Sequence, residues 1–104
     1  MFYKVKDIKI IKKYVLEVLF ENNIIKYYDV SLLFDKWAVF KNLENIEGLF
    51  EQVKVDKGGY GISWNDDIDL SCNELWENGY YYNNTDEVQD EAMVSEENND
   101  DYKQ

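Results

Sequence analysis

A chain of 104 residues with a formal charge of −11, no His and a single Cys has room for one small domain and lacks the parts for most catalytic constellations. With no His, no Arg and only Cys72, a zinc site, a Ser-His-Asp triad and an Arg-based phosphate clamp are excluded. A strongly acidic chain also repels phosphate backbones, so no nucleic-acid partner is expected.

The charge is unevenly divided. Residues 1–82 hold 14 acidic and 10 basic residues, for −4, whereas residues 83–104 hold 8 acidic residues and only Lys103, for −7. The first part reads as a single domain. The second has few bulky apolar residues and no periodicity, so it is expected to be a disordered acidic tail. Such a tail either keeps a Tyr-rich protein in solution or meets a basic surface as a phosphate mimic. The start of the chain carries Lys where a signal peptide needs an apolar core, and no apolar run is long enough to cross a membrane. With one thiol and no intrachain disulfide, the expected location is cytoplasmic and no membrane partner is expected.

Residues 3–11 alternate β-branched residues with Lys, which predicts a first strand with one wet face. The Lys4, Lys6, Lys9, Lys12 and Lys13 run is then that wet face. Tyr14, Leu16, Val18 and Phe20 share one side of the next strand. Asn22-Asn23 serves as a two-residue turn, pairing Phe20 with Ile25 and Val18 with Tyr27 in a hairpin. Ser31 is placed to cap a short helical turn, with Leu32, Leu33 and Phe34 to bury. Another one- to two-turn helix is expected over residues 42–50, with Gly48 limiting it. A second hairpin turns at Gly58-Gly59, so that Val55 opposes Ile62 and Val53 opposes Trp64, on one buried face. Trp64 is expected to pack on Val53 and on the Phe20 hairpin. After an acidic turn, Ser71 and Glu74 form a capping box for a helix with Leu75 and Trp76 apolar and Gly79 as its stop. The fold class is therefore α+β: a small antiparallel sheet built from two β-hairpins, with short helices packed on one side.

Candidate chemistry is sparse. Asp66, Asp67 and Asp69 are the one carboxylate cluster in the domain. Counted from Asn65 as a calcium loop, the sixth residue is Leu70 rather than Gly and the twelfth Trp76 rather than Glu. These three remain a weak candidate site, for a divalent cation or for a carboxylate-dependent enzyme. Cys72, at the start of a helix, lacks a base and a resolving thiol, and reads as a buried filler. Tyr80, Tyr81 and Tyr82 cannot all bury on one element, which offers a contact surface. No catalytic residue, metal ligand or cofactor is assigned.

Phe20, Asn22, Asn23, Lys26 and Asp29, then Leu32, Leu33, Phe40, Leu43, Phe50, Val53, Val55, Gly58, Gly59, Ile62 and Trp64, and finally Asp69, Leu70, Ser71, Leu75 and Gly79, carry a resemblance. In order and spacing they resemble the bacterial domain-of-unknown-function family 2442, over about residues 5–80. Asn23 stands where that family usually has Gly, and Lys26 where Arg is common. The resemblance implies a small cytosolic α+β domain whose partner is another short protein encoded beside it, in a toxin–antitoxin-like pair. A protein–protein interaction or antitoxin-like regulatory role is thus the expected function, with homo-oligomerisation an open alternative.

Overall fold

The computed structural model describes residues 2–81; Tyr82 and the acidic tail lie outside the described residues. Two three-stranded antiparallel meanders are joined by short helical turns. The first sheet is β1 (Val5–Lys12), β2 (Val15–Phe20) and β3 (Ile25–Asp29), and the second is β4 (Lys54–Val55), β5 (Gly61–Ser63) and β6 (Asp69–Ser71). Two α-helices, α1 (Asn42–Asn45) and α2 (Cys72–Asn78), complete the described elements with several 3-10 turns. The α+β class and both expected hairpins are present, as β2–β3 and β4–β5. The first strand, expected over residues 3–11, pairs with β2 as β1, β6 joins the second hairpin unforeseen, and the strands divide between two sheets that share one core.

β2 is central in its sheet, and Leu16, Val18 and Phe20 are fully buried there. β1 is an edge strand, and beyond Val5 it is mostly exposed on both faces. The chain turns between them at Tyr14, whose φ of 67° lies in the left-handed region. A bulky residue there costs about 1–2 kcal/mol. Its ring offsets this by packing edge-on against Phe34 and Phe50, at 5.0 and 5.3 Å between centroids.

The β2–β3 register differs by one residue from the sequence expectation. Leu19 faces Ile25, Val18 faces Lys26 and Leu16 faces Tyr28. The cause is the turn. Asn23 N–H donates to the Phe20 carbonyl at 2.9 Å, and Asn23 itself takes φ 71° before Ile24 resumes the ladder. The loop is thus three residues long, with the left-handed residue that such loops require at Asn23. A slip of one residue exchanges the faces of a strand. Lys26 and Tyr28, rather than Tyr27, therefore point inward.

Asp29, not Ser31, caps the turn Val30–Leu33: its carboxylate accepts from Ser31 N–H at 3.0 Å and from Ser31 Oγ at 2.6 Å. This phase buries Val30 and Leu33 and leaves Leu32 at 74% exposure, against the expectation that Leu32 is core. Further on, α1 ends at Asn45, and Gly48 at φ 84° separates it from the 3-10 turn Phe50–Gln52.

The β4–β5 register is the expected one, Val55 opposite Ile62. Its loop is wider than two residues. Asp56 N–H reaches the Gly61 carbonyl and Gly59 N–H the Asp56 carbonyl, each at 2.9 Å. Gly58, at φ 82° and ψ −7°, takes the third position of that inner turn, where a type II turn demands Gly. Trp64 is buried, but its aromatic neighbours are Phe50 (stacked, 6.2 Å) and Phe40 (edge-on, 6.1 Å). The Phe20 ring meets Trp76 instead, edge-on at 5.0 Å. The Trp64 indole N–H donates to the Phe50 carbonyl at 3.0 Å, which satisfies its one polar atom.

The acidic turn joins two strands before the helix begins. Asn65 Oδ1 accepts from both Asp67 and Ile68 N–H at 2.9 Å, and β6 then runs antiparallel to β5. Ser71 ends β6 and caps α2, accepting from Glu74 N–H at 3.0 Å. Only that half of the capping box forms, because the Glu74 carboxylate turns to other partners.

Candidate functional site

α2 packs on β3, β5 and β6, and its contacts with β3 bring the polar residues of the domain together. Tyr28 is 4% exposed, and its hydroxyl donates to Glu74 Oε2 at 2.7 Å. Asn78, one turn further along α2, donates to the same oxygen at 3.0 Å. Burial first, then the hydrogen bond to Glu74 and the charge of that carboxylate, push the Tyr28 phenol well above the ordinary tyrosine range. Tyr28 is a neutral donor that fixes Glu74.

Lys26 lies on the same inward face of β3 and is 7% exposed. Its ammonium donates to the Trp76 carbonyl at 2.5 Å, in the last turn of α2, where unpaired carbonyls and the helix dipole favour a cation. It also sits 4.1 Å from the centroid of the Trp76 ring and 5.0 Å from that of Tyr81. Trp76 is held by Tyr3, stacked on it at 3.9 Å. Lys26 therefore joins β3 to the end of α2 and is spent structurally.

Gly79 follows at φ −71°, so no left-handed turn needs it. Close approach does. An added Cβ would strike the Leu75 carbonyl and lie 3.2 Å from Lys26 Cβ. The chain then crosses to β3, where Tyr27 and Tyr80 exchange backbone hydrogen bonds of 2.7 and 2.8 Å. Tyr80 and Tyr81 are 48% and 61% exposed; Tyr82 lies outside the described residues.

These elements enclose a shallow cleft of about 280 Å³. Tyr28, Glu74 and Asn78 form its polar wall, Asp29 and Lys36 further polar lining, and Leu32, Leu33 and Tyr80 the apolar part. A larger cleft of about 470 Å³ lies beside α1, lined by the charged Lys13, Glu44, Glu47 and Glu51 and by the apolar Leu43 and Phe50. It lacks an apolar floor of comparable extent.

The structure does not bring the weak carboxylate candidates to either cleft. Asp66, Asp67 and Asp69 are exposed on and beside the β5–β6 turn. Among the described residues, no group of three His, Cys, Asp or Glu side chains is arranged to hold a metal ion. Cys72 is free and buried, at the first position of α2. Also among the described residues, no helix is long and apolar enough to cross a membrane.

The sequence pattern left Tyr28 without a role, marked Lys26 only as a position of the family and expected Leu32 in the core. The signal for the first two was the even-numbered set Ile24, Tyr28 and Val30, which is as apolar as the odd set Ile25 and Tyr27 and lines up with the buried face. Leu32 carried no such signal, since Leu32-Leu33-Phe34 has no polar residue to mark the outer position.

A small two-sheet α+β module, with one polar-walled cleft between β3 and α2, is the class that this fold and site define. The chain belongs to the family described as Protein of unknown function (DUF2442), whose model matches residues 5–81. No curated protein and no solved structure matches it.

Proposed function

We propose that the chain is a protein-binding module and that the cleft between β3 and α2 seats its partner. The observation that carries this reading is Leu32, 74% exposed on the rim of a cleft whose wall of Tyr28, Glu74 and Asn78 is already held by its own hydrogen bonds. An exposed Leu alone means little. Leu32 shares its cleft with Leu33 and the half-exposed Tyr80, beside a polar rim, which is the composition of a small contact patch. The partner in this reading is another small protein encoded beside it, and the chain is the antitoxin-like or regulatory half of the pair, as the family resemblance implies. Both act in the bacterial cytoplasm.

Co-expression of the tagged chain with the neighbouring short gene product tests it. A complex of fixed stoichiometry should co-purify. Leu32→Glu should weaken it at least tenfold by calorimetry, with the melting temperature of the free chain unchanged. Equal affinity for Leu32→Glu and the parent chain would move the interface elsewhere.

A further inference from the structure

The partner cleft leaves the opposite edge of the first sheet unexplained. Residues 4–13 hold five Lys and one Asp, a local charge of +4 in a domain that is −4 overall. Lys6, Lys9 and Lys12 are exposed on β1, and among the described residues none of them makes an ion pair with a carboxylate. Lys4 and Lys13 flank them, each over a tyrosine ring, Tyr60 at 4.8 Å and Tyr14 at 5.3 Å. Ile10 and Ile11 are 40% and 48% exposed between the lysines. Away from Val5 and Ile8, which pack on the core, β1 is thus a basic strand edge with an exposed Ile on each face, and Glu17, opposite Lys9, is the one carboxylate among the β2 residues paired with it. Its main chain is partly closed to an added strand, because Asp7 Oδ1 takes the Ile8 N–H at 2.8 Å. What β1 offers is side chains.

We propose that β1 is the docking surface for an acidic segment of the same chain, residues 90–101. That segment carries six acidic residues and no basic one, with Met93 and Val94 near its middle. Charge and apolar content both match that edge. The length between is sufficient. Residues 82–89 span at most about 28 Å when extended. Crossing from the Tyr80 edge of the sheet past β1 takes about 19 Å at ordinary strand spacing. Tethering supplies an effective concentration on the order of millimolar, against which a free polyanion competes poorly. A second copy of β1 is a poor occupant, since it would set +4 against +4. The consequence is a chain that neutralises its own basic edge and so keeps it from nucleic acid.

Paramagnetic relaxation in the full-length chain tests this, with a nitroxide on Ser95→Cys and buried Cys72→Ala to keep labelling single. At about 20 mM salt, amide signals over residues 6–12 should lose at least three times more intensity than those over residues 25–29. The loss should disappear at about 500 mM salt, where the Debye length is short. It should also disappear when Lys6, Lys9 and Lys12 are changed to Gln. A mixture of isotope-labelled chain without nitroxide and unlabelled chain with it should show no loss. Even broadening over both sheets, broadening that persists in the Gln variant or at high salt, or broadening equal in the mixture would each overturn the proposal.

Discussion

The two halves of the core solve the same packing problem with different chemistry. Around Trp64 the filling is aromatic: Phe40, Phe50 and the Trp64 ring itself, with a single hydrogen bond to a backbone carbonyl. Between β3 and α2 it is polar, with Lys26 on the Trp76 carbonyl and Tyr28 on Glu74. The first half can be filled by any set of large apolar rings of the right volume. The second depends on partners 46 and 50 residues apart in the chain, so it requires the register of the hairpin and the position of the helix to be right together. The polar half also has the cleft. A wall already satisfied internally is rigid, and rigid walls bind without an ordering cost.

Removing the centre of the aromatic half should have the largest effect. Trp64→Ala is expected to cost about 3–5 kcal/mol, through lost burial and a residual cavity, and urea melts should show a largely unfolded chain. A loss below about 1 kcal/mol would mean that the Trp64 pocket collapses freely, and the contrast between the halves would then be wrong.

Next is Lys26. Lys26→Ala should cost about 2–3 kcal/mol, from the lost cation–ring contacts and a half-buried carbonyl left without its donor. Lys26→Met keeps the stem and removes the charge, and should recover part of that loss, since a buried charge gains little over a well-packed apolar side chain. If both variants melt at the parent temperature, the ammonium contributes nothing and the polar half is held by shape alone.

Tyr28→Phe is smaller, about 1–2 kcal/mol for a hydrogen bond to a carboxylate. It has a pH signature. The folded-state phenol titrates above the unfolded value, so the stabilisation is complete below the unfolded tyrosine pKa and is lost as pH rises through the folded one. Melting curves for the two chains should therefore differ by a constant amount from pH 7 to about 9.5 and converge above it. A gap that widens above that range would reverse the assigned direction.

Smallest of all is the effect of Leu32→Glu on folding, within about 0.5 kcal/mol, because the side chain is solvated already. A larger loss in denaturant melts would place Leu32 in the core and remove the cleft rim on which partner binding rests.

The register of the β4–β5 hairpin was legible because its apolar residues leave one choice. Pairing Val55 with Ile62 is what sets Val53 and Val55 on the face that Ile62 and Trp64 share. The β2–β3 hairpin offered two, since Ile24, Ile25, Tyr27, Tyr28 and Val30 put apolar residues on both faces. The local geometry of Asn23 chose between them. The cleft was hidden for the same reason: its polar wall exists only in the register that turns Tyr28 toward α2.

By itself, the sequence determined the α+β class, the two hairpins, the cap at Ser71 and the exclusion of His- and Arg-based chemistry, because these follow from local pattern and composition. Only the tertiary structure decided that the strands form two sheets, that Lys26 is buried and Leu32 is not, and that Glu74 leaves the capping box for Tyr28. Each of those depends on which distant group competes for a side chain, and a hydrogen bond across 46 residues leaves no trace in the spacing of either partner.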